Sequence, residues 1–173
     1  MSSRTTRIVV AVVIVVSLAG AGLGVRLAAR DQARADGGGD AAYRDARQRY
    51  VAAVDAVCRD AGEHAPPEEA TSTRAMVTEL TTAARIMGRT VAAIEAAKPP
   101  PADAARIRRQ YIGPLKSLTA HLGDLAGRAE AAMSKGDEAT ARSLVEKSYE
   151  PNEDEASSTA FATAYGMTAC AGQ

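Results

Sequence analysis

Tryptophan is absent from this chain, phenylalanine occurs once, and tyrosine occurs five times in 173 residues. With so few large rings, any core must be thin and built from alanine and medium-sized aliphatic side chains. Such a core suits close helix–helix packing and suits a large sheet poorly. The formal net charge is zero, but it is unevenly distributed. Five of the 21 basic residues (Arg4, Arg7, Arg26, Arg30 and Arg34) precede residue 36, where the only acid is Asp31. That leaves 16 basic and 20 acidic residues from Asp36 onward, a mildly acidic body. A nucleic-acid partner is therefore not expected, because phosphate binding needs a basic face and, for single strands, exposed aromatic platforms.

The chemistry-bearing residues are equally sparse. There are two histidines, His64 and His121. His121 and Asp124 stand three apart on one helical face, a spacing that offers two metal ligands but reads more simply as a solvated imidazole beside a carboxylate. The chain has no His-Glu-x-x-His sequence and no Glu-x-x-His pair of the di-iron bundles. The three glycines at 37–39 follow no strand, so they make no phosphate loop of the Walker or dinucleotide kind. No serine stands in a Gly-x-Ser-x-Gly setting. The acids Glu150, Glu153, Asp154 and Glu155 lack the spaced oxygens and turning glycine of a calcium loop, and read as a dipole complement at a helix start. Arg106, Arg108 and Arg109 read as a solvated basic spot. No catalytic residue, cofactor site or metal site is assigned, and the chain is expected not to be an enzyme.

The amino-terminal segment carries the strongest positive signal. Ile8 to Val25 is 18 residues without a charge, bracketed by Arg7 and Arg26. Crossing a bilayer core takes about 20 apolar residues, a length reached once Leu27 and the flanking arginine stems snorkel. The competing reading is a secretory signal peptide: a basic start, an apolar stretch to Leu18, and small residues at Ala19, Gly20 and Ala21. The apolar run continues past that cleavage point, which favours a retained anchor. The expected organisation is a cytoplasmic tail at 1–7, a transmembrane anchor at 8–25, a juxtamembrane segment and glycine-rich linker at 26–40, and a helical bundle at 41–173. Two arginines on one side of the span and three on the other leave the positive-inside rule nearly silent. Gly20 and Gly24 form a GxxxG pair, a weak signal for a homodimer through the anchor.

Beyond the linker, the hydrophobic periodicity is helical throughout and no strand-like alternation survives. Asp40 is the expected cap of a first helix over Ala41 to Ala61, with Tyr43, Tyr50, Val54, Val57 and Ala61 on its apolar stripe. A second helix runs from about Glu68 or Thr71 to Ala97 on a heptad seam of Met76, Leu80, Ala83, Met87, Thr90 and Ile94. Pro99, Pro100 and Pro101 stop it. The third spans about Ala102 to Met133; its seam changes phase between Tyr111 and Leu115, so a kink is expected at Gly113 and Pro114. Asp137 caps a fourth helix carrying Ala141, Leu144 and Val145, which Pro151 kinks or ends. A last helical segment over NEDEA and beyond closes at Gly166. The fold class is all-α: an up-and-down bundle of about four helices behind a transmembrane helix.

Cys58 and Cys170 are the two cysteines, and with an export-type segment ahead of them they admit one intramolecular pairing. A disulfide between them would pin a tail that has little apolar anchor of its own. It would also place the body outside the cytoplasm, an orientation that the arginines do not decide.

These pieces together resemble a group of small membrane-anchored or secreted helical proteins of actinobacteria. The resemblance rests on a Cys in the first helix (YVAAVDAVCRDA), a Lys-Pro break (KPPPADA), a Gly-Asp turn (KGDEA) and a glycine four residues before a terminal Cys (YGMTACAG), and covers about residues 43 to 172. It implies the bundle fold, the extracytoplasmic site and the Cys58–Cys170 pairing, and no activity. The expected role is a non-enzymatic envelope module, attached to the lipid bilayer through residues 8–25, that binds or braces another envelope protein. The alternatives are a ligand-binding or stress-sensing domain with a pocket widened at the Gly113–Pro114 kink and, for location, a protein secreted after cleavage.

Overall fold

The computed structural model describes residues 37–66 and 70–171. Among them the structure is helical, with no strand: α1 (Gly37–Glu63), α2 (Thr73–Ala96), α3 (Ala104–Ile107), a π-helical turn (Arg108–Ile112), α4 (Gly113–Ser134), α5 (Glu138–Lys147) and α6 (Glu153–Tyr165). No helix of the described residues is long and apolar enough to cross a membrane; the apolar run 8–25 and the Gly20–Gly24 pair lie outside them.

Local chemistry accounts for the helix ends. Ser72 caps α2, its hydroxyl accepting the Ala75 N–H at 3.2 Å, and satisfies one of the free donors of the first turn. Ala97 then turns extended, ending the helix two residues ahead of the consecutive prolines. Asp137 caps α5 by accepting from the Thr140 N–H at 3.0 Å. Asn152 caps α6 through the Asp154 N–H at 2.8 Å, and the acids Glu153, Asp154 and Glu155 fill that first turn, where the helix dipole favours negative charge. Gly166 closes α6 at φ 89°, with the Met167 N–H returning to the Ala162 carbonyl at 2.9 Å. This left-handed closure costs glycine no Cβ clash.

The glycine-rich linker ends earlier than its composition suggests. Gly37 to Gly39 are the first turn of α1, and Asp40 lies inside that turn rather than capping it. Glycine costs about 1 kcal/mol relative to alanine in a helix. Here the turn extends a helix already propagated by the alanine-rich stretch behind it, and the Asp40 carboxylate sits at the favourable end of the dipole.

The proline in the long third helix does not break it. Helical backbone is continuous from Ala104 to Ser134. Pro114 has no N–H with which to reach the carbonyl four residues back. One residue earlier, the Gly113 N–H bonds to the Arg108 carbonyl, five residues back. The wide turn takes up an extra residue, and this produces the phase change between Tyr111 and Leu115. The expected kink is thus a π turn. Glycine at 113 relieves a close approach, because a Cβ there would lie 3.2 Å from the Arg108 carbonyl oxygen.

Two apolar clusters flank this long helix. The first joins α2, α4 and α5 through Met76, Leu80, Met87, Leu122, Leu125 and Val145. The second joins α1, α3, the π turn, α6 and the tail through Tyr50, Val54, Ile107, Tyr111, Tyr165 and Met167. The α2 seam departs from the expected heptad at one place: Val91 is buried and Thr90 only partly so. Thr90 returns its hydroxyl to the Ile86 carbonyl at 2.9 Å, while Ile94 passes into the second cluster.

Candidate functional site

Asp103 stands two residues after the proline run, at the start of α3, where a capping role is the simplest reading. Its carboxylate makes no cap bond and points into the second cluster, 7 % exposed. Tyr43 of α1 donates its hydroxyl to Oδ2 at 2.6 Å and Tyr165 of α6 to the same oxygen at 2.7 Å. Arg106 donates to Oδ1 at 3.1 Å. Burial pushes this carboxyl up. The two phenol hydrogen bonds and the charges of Arg106 and Arg47 outweigh that push and hold the group below its ordinary value. The phenols respond in the opposite sense: Tyr43 is raised chiefly by its bond to Asp103, and Tyr165 chiefly by burial.

A short ladder of rings surrounds this carboxylate. Phe161 stacks between Tyr111 and Tyr165 at centroid distances of 5.7 and 5.5 Å. The Arg106 guanidinium lies 5.5 Å from the Tyr165 centroid. Arg47 lies over the same ring at 4.7 Å and donates to the Tyr165 carbonyl at 2.8 Å, completing the last turn of α6 with a cation. Arg106, Arg108 and Arg109 are all exposed, as expected of a solvated basic spot, and Arg106 additionally reaches Asp103 and the rings. The Asp103 centre was missed because nothing in the chain order links residues 43, 103 and 165. The only signal was an acid two residues after a proline run.

Cys58 and Cys170 form the expected disulfide, with Cα atoms 5.3 Å apart. The chain reaches this position by ending α5 at Lys147 and restarting at Glu153, so Pro151 lies in a link rather than inside a helix. A second device, not anticipated, holds the tail beside the disulfide. Asp55 is buried on α1, and its carboxylate accepts the Ala169 N–H at 2.9 Å and, more weakly, the Thr168 hydroxyl at 3.4 Å. Met167 is fully buried.

Two open grooves border α1. One, of about 580 Å³, runs between α1 and the end of α6 and is lined by Arg44, Arg47, Val51, Arg59 and Tyr165, among others. The other, of about 460 Å³, lies between α1 and α2 and includes His64, Ile86 and Arg89. Neither groove reaches Gly113–Pro114, where Tyr111 and Ile112 are buried. His121 is exposed and Asp124 pairs with Arg128 at 3.2 Å, so that pair forms no ligand set. Among the described residues no group of three His, Cys, Asp or Glu side chains is placed to hold a metal ion.

Chemically, these sites can bind and brace. The buried Asp103 carboxylate is held by three donors. No family model, curated protein or solved structure matches the chain.

Proposed function

We propose that this protein is a membrane-tethered, extracytoplasmic helical module that works by holding another envelope protein, not by catalysis. The observation that carries this reading is the Cys58–Cys170 bond, which fastens the carboxyl terminus to α1; such bonds persist in oxidising compartments. The uncharged run 8–25 supports the tether, and the resemblance to anchored or secreted actinobacterial helical proteins supports the same address. The engagement of Asp103 by Tyr43, Tyr165 and Arg106 supports a bracing role for that carboxylate over an active centre.

Two measurements test the reading. A cysteine introduced at exposed Ser143 should react with a membrane-impermeant maleimide in intact cells, and the protein should remain in the membrane fraction. Purification from crosslinked membranes should then yield one protein in stoichiometric amount. A label blocked until lysis would overturn the orientation, and a co-purifying small molecule in place of a protein would favour a ligand-binding domain.

A further inference from the structure

The groove between α1 and the end of α6 has an uneven distribution of charge. Along α1 the acids Asp45 and Asp60 lie beside Arg49 and His64, their neighbours one turn on, while Asp40 and Glu63 are exposed outside the groove lining. The groove face carries Arg44, Arg47 and Arg59, and its one carboxylate, Asp55, is turned inward to the Ala169 N–H. Arg47 is held against Tyr165. Arg44 and Arg59 are exposed and make no ion pair among the described residues. Fifteen positions separate them, about 22 Å along a helix at ~1.5 Å per residue. Between them the floor is Val51 and Ala52, with the Gln48 amide offering both a donor and an acceptor.

We infer that this groove is the docking site for an acidic peptide segment of a partner protein, its carboxylates meeting Arg44 and Arg59 and its apolar residues lying on Val51 and Ala52. This deepens the proposed function and rests on it. The charge and shape select a peptide over the other polyanions. From Asp36 onward the chain carries 16 basic and 20 acidic residues, so an extended anionic sheet or duplex is repelled by the body as a whole. A short segment feels chiefly the local cations, within a screening length of ~8–10 Å. A bilayer surface is flat, whereas these cations border a recess. The one large apolar side chain exposed on the described surface is Tyr43, at 36 %, too little to insert into lipid. Guanidinium groups suit carboxylates because their planar fork matches both oxygens.

The test uses the full chain in neutral-lipid nanodiscs and a fluorescent peptide of about 15 residues, long enough as a helix to span the groove, with glutamate at every third or fourth position and leucine between. Anisotropy should show saturable binding that weakens with salt. Arg44→Gln with Arg59→Gln should reduce affinity about tenfold, and Arg44→Lys with Arg59→Lys should retain most of it. Arg108→Gln with Arg109→Gln, on the other basic spot, should leave it unchanged. Circular dichroism checks that each variant keeps its helices. Equal binding by the Arg44/Arg59 double glutamine variant, equal loss in the Arg108/Arg109 variant, or binding of phosphatidylglycerol vesicles but not the peptide would each overturn the assignment. Such failure would leave the extracytoplasmic module standing, since orientation and crosslinked partners are read separately.

Discussion

Asp103 is the residue on which most of the second cluster's polar bonding converges, because one carboxylate ties the start of α1, the start of α3 and the end of α6. Asp103→Ala should cost about 3 kcal/mol in urea denaturation, since it strands the buried Tyr165 hydroxyl as well as removing charge-assisted bonds. Asp103→Asn, which keeps an acceptor, should cost about half as much. The carboxyl is held below its ordinary value in the folded chain, so on acidification the unfolded chain takes up the proton first. Its contribution is therefore fully present above about pH 4 and is lost as pH falls further, through the folded value. The Asp103→Asn variant should show a flatter acid limb than the parent. Tyr50 behaves differently: its ring is buried against Tyr165 at 6.2 Å, yet its hydroxyl has no protein partner, and burial pushes the phenol up to about 12. Tyr50→Phe should be neutral or stabilising by about 1 kcal/mol. It should also lessen the loss of stability that the parent shows as pH rises from about 10 to 12, where the unfolded phenol ionises before the folded one.

At the level of elements, the π turn is the feature that the sequence announced without naming. A change of seam phase beside Gly-Pro was legible; whether the chain would bend, break or widen was not, because all three accommodate the absence of a Pro114 N–H. The Arg108 carbonyl decides it by accepting from Gly113. Gly113→Ala should therefore forfeit the ~1 kcal/mol that alanine normally gains over glycine in a helix, and should destabilise, because its Cβ crowds a backbone oxygen that cannot swing aside. Pro114→Ala should leave helicity by circular dichroism equal or slightly higher, with a gain well short of the ~3 kcal/mol of an interior proline, since the wide turn already accommodates the ring. The cap at Asp137 and the closure at Gly166 were legible because they are local. The start of α1 was misread because three glycines outweigh one aspartate in composition, while in the helix the extension is cooperative.

On the scale of the whole molecule, periodicity gave the helices and left their division between two cores open. The seams of α2 and α4 show apolar faces, but the passage of Ile94 from one cluster to the other depends on where α1 and α6 dock, which no local pattern encodes. The tail shows the same division: its disulfide followed from having two cysteines, whereas its second fastening, Asp55 to the Ala169 N–H, could not be seen without the fold. The bond closes a separation of 112 residues, for which the loop-entropy model gives about 4–5 kcal/mol as an upper figure. That is comparable with the stability of a small domain. Cys58→Ser with Cys170→Ser should therefore lower the urea midpoint strongly, and Asp55→Ala should lower it further in that background than in the disulfide-bonded chain. The claim underlying the fold, the address and the proposed role is that these two cysteines are joined in the living cell. Alkylation of the protein taken directly from membranes, unfolded but not reduced, measures this: the account predicts no labelled thiol until reductant is added, and two thiols labelled without reductant would contradict it.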